Sequence, residues 1–171
     1  MSIHENPVVH HSDRIFSSKL LLFGEYSVVV GGKALAIPLS KYKGRWEFGN
    51  GNQKDLYLFS EFLEKSVDFD FLEIQSFKSD LEKGLFFESD IPLGYGMGSS
   101  GALVAGVFDR YSSEKDLDPS DLKLVLGKME NFFHGSSSGL DPLVSLLQRM
   151  VLIDKDQGGI SFPQTDFNYS I

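Results

Sequence analysis

The stretch that most constrains this chain is Ile91-Pro92-Leu93-Gly94-Tyr95-Gly96-Met97-Gly98-Ser99-Ser100-Gly101-Ala102. Between Gly94 and Gly101 lie four glycines and two adjacent serines, after a strand-like run and before an apolar segment long enough for a buried helix. Glycines at alternate positions permit positive φ and remove side chains that would hold a ligand away, so main-chain N–H groups can wrap an anion. A helix opening directly behind the loop adds unpaired first-turn N–H groups and the positive end of its dipole. The stretch reads as a phosphate cradle.

Two other phosphate motifs fit less well. Gly96-x-Gly98-x-x-Gly101 satisfies the dinucleotide fingerprint in form. That fingerprint also calls for an acidic residue closing a second strand about twenty residues on. The chain instead runs through Ser112, Ser113, Glu114, Lys115 and Asp116 to Asp118-Pro119, which starts another helix. A Walker-type loop needs a lysine after its last glycine, and none follows Gly98.

The 171 residues make one domain, large enough to bury roughly 70% of the unfolded surface. A formal net charge of −8 argues against a nucleic-acid footprint, which needs a basic face. No apolar run reaches the length of a membrane span, and residues 1–13 are polar, unlike a signal peptide. They read as a flexible arm in which His4, His10 and His11 are solvated. The absence of cysteine excludes disulfides and thiolate metal sites. The expectation is a cytoplasmic protein without nucleic-acid or membrane partners, its fifteen Phe in the core.

Strands are expected at Arg14 to Phe16, Lys19 to Phe23, Val28 to Val30, Ala34 to Leu39 and Gly44 to Phe48. Asp55 is expected to cap a helix over 56–65, with Leu58, Phe59, Phe62 and Leu63 on its inner side. A helix over 77–83 ends at Gly84, and residues 85–91 alternate as a half-buried strand. Ser100 to Tyr111 reads as a buried helix, and Asp118-Pro119 caps the next. In that helix Leu122, Val125, Leu126, Met129 and Phe133 form the apolar face, with Glu130 on its flank where core meets surface. A last helix spans 143–148 and a last strand 150–153, followed by a polar tail.

Lys19, Glu130 and Asp141 each have an ordinary reading: a snorkelling lysine at a strand edge, a surface glutamate, and a helix cap before Pro142 like Asp118 before Pro119. Their spacing gives another. The glycine stretch has the P-x-x-x-G-x-G-S-S form of the second motif of the GHMP kinases. Lys19-Leu20-Leu21-Leu22-Phe23-Gly24-Glu25 resembles the first motif of the mevalonate kinases in that family. Glu130-Asn131-Phe132-Phe133-His134-Gly135-Ser136-Ser137-Ser138-Gly139-Leu140-Asp141 resembles the segment in which a glutamate precedes the aspartate of a P-S-G-x-D loop. The three matches stand in the family's order over nearly the whole chain. Tyr26 stands where mevalonate kinases have His, as in phosphomevalonate kinases, and Ser137 stands in place of the proline.

The resemblance implies an α+β fold of the GHMP N-terminal type over 14–171, a mixed sheet with helices mainly on one face. It implies ATP-dependent phosphorylation of a small alcohol, mevalonate before phosphomevalonate or a sugar, with ATP and Mg²⁺ as cofactors. By the same resemblance Gly94, Gly96, Gly98, Ser99, Ser100 and Gly101 hold the triphosphate, and Ser100 and Glu130 ligate Mg²⁺. Asp141 accepts the proton of the substrate hydroxyl, Lys19 pairs with it and draws charge from the γ-phosphate, and Glu25 and Tyr26 border the substrate. A third glycine-rich motif in a C-terminal domain belongs to the family, whereas only Gly158 and Gly159 follow Asp141, so the chain reads as the N-terminal half. A non-catalytic nucleotide-binding half is the alternative, and a homodimer is left open.

Overall fold

The computed structural model describes residues 14–24, 32–154 and 159–164. The expected arm, Glu25, Tyr26 and the run Val28-Val29-Val30 lie outside them. In chain order the elements are β1 (Phe16–Phe23), β2 (Ala34–Phe48), α1 (Lys54–Glu64), a 3₁₀ turn (Val67–Phe69), α2 (Ile74–Glu82), β3 (Leu85–Ser89), α3 (Ser99–Tyr111), α4 (Pro119–His134), α5 (Leu140–Leu147), β4 (Val151–Asp154) and β5 (Gly159–Ser161).

The long strand β2 organises the sheet. It pairs with β1 along one edge, and along the other with β4 through Ala34–Ala36 and with β3 through Gly44–Phe48. β5 completes the sheet beside β4. Among the described residues every named pairing is antiparallel, where a mixed sheet was expected. The two strands expected at 34–39 and 44–48 are one, because Ser40, Lys41 and Tyr42 are absorbed as a bulge: Ser17 faces Lys43 while Ser18 faces Leu39. The bulge interrupts the period-2 alternation, and Phe16, Ser17, Ser18 and Lys19 are buried in succession. Lys19 is thereby turned inward at the point where the strand meets the site. β5 falls in the stretch expected as a polar tail and is too short to show a period.

Helices α3 and α5 pack on β1 and β2, with α4 behind them. α3 is the central helix, buried at Ala102, Val104, Ala105, Val107, Phe108 and Tyr111, as its nearly all-round apolar sequence requires. Trp46 Nε1 on the sheet donates to the Gly106 carbonyl of α3 at 3.1 Å, satisfying a buried donor. The C-terminal end of α3 is held to α2 by Asp80, which accepts from Arg110 Nη2 at 2.8 Å and from the Tyr111 hydroxyl at 3.0 Å.

Three local expectations change. Gln53, not Asp55, occupies the N-cap of α1, and Gln53 Nε2 bonds the carbonyls of Leu81 and Leu85. The buried face of the helix is Leu56, Phe59, Ser60 and Leu63, at i, i+3, i+4 and i+7, which puts Leu56 inward and leaves Leu58 exposed. α2 begins at Ile74, earlier than expected, because Ile74 itself packs into the core. Phe16, Phe59, Phe69, Phe77 and Phe108 are buried, but Phe23 and Phe48 are exposed, so the phenylalanines are not uniformly core. No described helix is long and apolar enough to cross a membrane.

Candidate active site

The glycine loop is tied to the sheet where the Lys19 amide donates to the Met97 carbonyl at 3.0 Å. Gly94, Gly96 and Gly98 all have positive φ, at 80°, 66° and 77°, a conformation that costs an L side chain about 1–2 kcal/mol. The Cβ positions of Gly94 and Gly96 face open space, with no atom within 4 Å. Gly98 is different, since a Cβ there would sit 3.0 Å from Lys19 Cγ and 3.5 Å from Asp141 Oδ2. The last turn of the loop therefore lies directly against the two side chains that the sequence marked as candidates for chemistry.

Those two side chains are paired, Lys19 Nζ standing 3.0 Å from Asp141 Oδ1. The Lys19 side chain is only 10% exposed and that of Asp141 28%, so the pair is weakly screened on one side and open to a ligand on the other. Asp141 does not cap α5. Gly139 is the N-cap, without a side-chain capping bond, and Asp141 sits in the first turn behind it. Its resemblance to Asp118 is confined to sequence, since the Asp118 side chain does accept from the Ser120 amide at 2.9 Å. A Cβ on Gly101 would stand 2.8 Å from Asp141 C, Asp141 Cβ and Pro142 N, so the absence of a side chain there lets α3 and α5 converge and brings Asp141 to the loop.

Across the first turn of α3 lies a second cluster. The Ser100 hydroxyl is 2.9 Å from Glu130 Oε1 and 2.9 Å from His134 Nε2, while the Ser137 hydroxyl donates to Glu130 Oε2. Glu130, expected on the flank of α4, is 3% exposed, because the 136–139 connection folds back over the end of the helix. Burial pushes its carboxyl above the ordinary value; the Ser137 bond opposes this, and the charge of Asp141 adds to it.

The residues present fit Mg²⁺. Ser100 Oγ and Glu130 Oε1 are hard oxygen donors, held side by side at 2.9 Å by their hydrogen bond, the ligand type that this ion prefers. Among the described residues no group of three or more His, Asp or Glu could hold a metal alone. A small donor set suits an ion that keeps waters and takes further oxygens from phosphate.

Ser99 opens α3 beside a cleft of about 500 Å³, which Gly94, Ser100, Phe87, Ile91 and Leu103 also line. Asn52, Asp55, Ser89 and His134 add polar groups to that lining, and a mixture of apolar walls and a few polar groups is the usual make-up of a small-molecule pocket. The structure thus gathers Lys19, Gly98, Ser99, Ser100, Gly101, Glu130 and Asp141 around the start of α3; Glu25 and Tyr26 lie outside the described residues. His134 and Ser137 belong to the site as well, although neither was expected in it. His134 carried a signal, standing four residues after Glu130 on one helix face; Ser137 was visible only as a departure from the proline.

Comparison with known proteins gives one consistent result. The family described as the GHMP kinases N terminal domain matches residues 60–149. A mevalonate kinase of Pyrococcus abyssi is 33% identical over 159 residues, covering 76% of this chain and 47% of that protein. One of Thermococcus onnurineus is 27% identical over 159 residues, with 76% and 48% covered. The chain spans about half the length of the curated relatives it matches. Among solved structures, the mevalonate kinase of methicillin-resistant Staphylococcus aureus superimposes with a TM-score of 0.53 at 19% identity, over 88% of this chain and 54% of that one. That of Methanococcus jannaschii gives a TM-score of 0.53 at 19% identity, over 94% and 57%; both describe a shared fold. The family match covers more than half of the chain and takes in the glycine loop, Glu130 and Asp141 together, and on that ground the chain belongs to the GHMP kinases through their N-terminal domain.

Proposed function

We propose that this chain is the ATP-binding half of a kinase that phosphorylates a small alcohol, with mevalonate as the acceptor and isoprenoid precursors as the cytoplasmic product line. The observation that carries the proposal is the Lys19–Asp141 pair set against the last glycine of the loop. Phosphoryl transfer asks for positioning and charge stabilisation, not covalent help. The loop from Gly94 to Gly98 and the N-terminus of α3 supply main-chain donors for the triphosphate, and the neighbouring cleft, with apolar and polar side chains in its lining, has the size for the base and sugar. Asp141 takes the proton of the acceptor hydroxyl. Lys19 orients that carboxylate and offers positive charge to the transferring group. Ser100 and Glu130 hold Mg²⁺, which when bound neutralises charge on the phosphates.

Mevalonate is favoured by the names of the relatives, and Tyr26 favours a second reading in which the acceptor is phosphomevalonate or a sugar. Residues 14–171 would form one domain, with a C-terminal GHMP domain supplying the other wall of the cleft. The test is ADP release in a coupled assay, on this chain together with a C-terminal GHMP domain, with each alcohol in turn. Asp141→Asn is expected to lower turnover by about 10²-fold or more. An unchanged rate would remove Asp141 as the base, and stimulation by another alcohol alone would replace mevalonate.

A further inference from the structure

Resting on that reading of the site, we propose that Ser137 is a positioning residue whose single hydroxyl fixes the Glu130 carboxylate for a divalent cation and also folds the turn that presents Asp141. The hydroxyl donates to Glu130 Oε2 and accepts from the Gly139 amide at 3.0 Å. Gly139 is the N-cap of α5, two residues before Asp141. The Ser137 amide donates to Asn131 Oδ1 at 2.7 Å, which anchors the connection to the end of α4. One residue thus links the carboxylate of α4 to the turn that starts α5.

The donor inventory makes the link directional. An ionised carboxylate only accepts, so both Ser100 and Ser137 spend their single hydroxyl proton on Glu130. The Ser100 oxygen must then accept at its contact with His134, which fixes the imidazole with its proton on Nε2. One lone pair remains on Ser100 and one on Glu130 Oε1, side by side, for a cation. Remove the Ser137 hydroxyl and Oε2 loses its donor inside a buried site. The carboxylate is then free to rotate away from the direction in which Oε1 meets Ser100. The proline common at this position in the family has neither the hydroxyl nor an amide donor, so this chain holds the loop by hydrogen bonds where a proline would hold it by ring rigidity.

The experiment is a Mn²⁺ titration followed by electron paramagnetic resonance, on the full chain with a non-hydrolysable ATP analogue at saturation, beside calorimetric titration of the analogue without metal. Ser137→Ala keeps the backbone amide and removes only the hydroxyl. We expect it to weaken Mn²⁺ binding by about 10-fold or more, to leave metal-free nucleotide affinity unchanged, and to be rescued by Ser137→Thr. If the alanine variant does not fold, Ser137→Gly serves in its place. Equal Mn²⁺ affinity in the wild type and the hydroxyl-free variant overturns the proposal. Nucleotide binding by the wild type with no bound Mn²⁺ overturns both this role and the metal assignment to Ser100 and Glu130. No nucleotide binding at all overturns the kinase reading, and this role with it.

Discussion

Gly101→Ala isolates the packing on which the site depends. Gly101 is the third residue of α3, so alanine introduces no backbone strain there and on helix propensity alone should stabilise the protein by about 1 kcal/mol. Its Cβ, however, would stand 2.8 Å from three atoms of Asp141 and Pro142, where ordinary contact begins at 3.4 Å. α3 and α5 must therefore separate by about 0.6 Å, and the atoms in the way belong to the backbone and Cβ of α5, not to the end of a flexible side chain. Overpacking of this kind costs about 1–3 kcal/mol, and with so stiff a neighbour the upper value applies. The net loss is about 2 kcal/mol, a fall in melting temperature of about 4–8 °C for a domain of this size. Because the displaced segment carries Asp141, turnover of the complete enzyme should fall further than stability implies, by about 10²-fold if the carboxylate moves by about 1 Å. Gly94→Ala is the control, with open space around its Cβ and only the cost of a positive φ. Thermal and urea unfolding together with the ADP-release assay decide the matter. A Gly101→Ala protein as stable as the wild type would refute the claim that this glycine sets the distance between the helices.

Two other outcomes follow from particular contacts. Burial works to raise the Asp80 carboxyl, but hydrogen bonds from Arg110, Tyr111 and Lys83 outweigh it and hold it below its ordinary 3.8, so its contribution to stability is complete above that value and is lost as pH falls through the depressed one; Asp80→Asn should cost about 2 kcal/mol at neutral pH, and urea unfolding from neutral to acid pH should show the two proteins converging. Residues 1–171 alone, with one wall of the proposed cleft open to water, should turn over ATP with mevalonate at least ~10³-fold more slowly than the same chain supplemented with a C-terminal GHMP domain, which a coupled assay measures directly.

The sequence was most legible where one local cause decides the structure. The apolar run from Ser100 to Tyr111 could only be a buried helix, and Asp118-Pro119 could only begin one, with the Asp118 side chain bonding the Ser120 amide as expected. The glycine loop was legible for the same reason, since alternate glycines allow positive φ where few other residues would. What escaped depended on tertiary contacts. Glu130 looks amphipathic on its own helix and is buried only because the 136–139 connection returns over it. Asp141 has the sequence of a cap, and only the convergence of α3 on α5 shows that it faces Lys19 instead. The bulge at Ser40 to Tyr42 interrupts the period that marks a strand, so one long β2 reads as two short ones.

The proposed function rests on the loop ending at Gly98 being a phosphate site built against the Lys19–Asp141 pair. Calorimetric titration of the chain with ATP and Mg²⁺, wild type beside Gly98→Val, decides whether it is. The valine side chain would start 3.0 Å from Lys19 Cγ in a backbone conformation that L residues avoid, and its methyl groups would crowd the approach to the loop amides. Expected are measurable binding by the wild type, none by the variant, and circular dichroism spectra that coincide. Equal nucleotide affinity in the two proteins, both folded, would refute the phosphate assignment and return the glycine stretch to an ordinary turn between strand and helix.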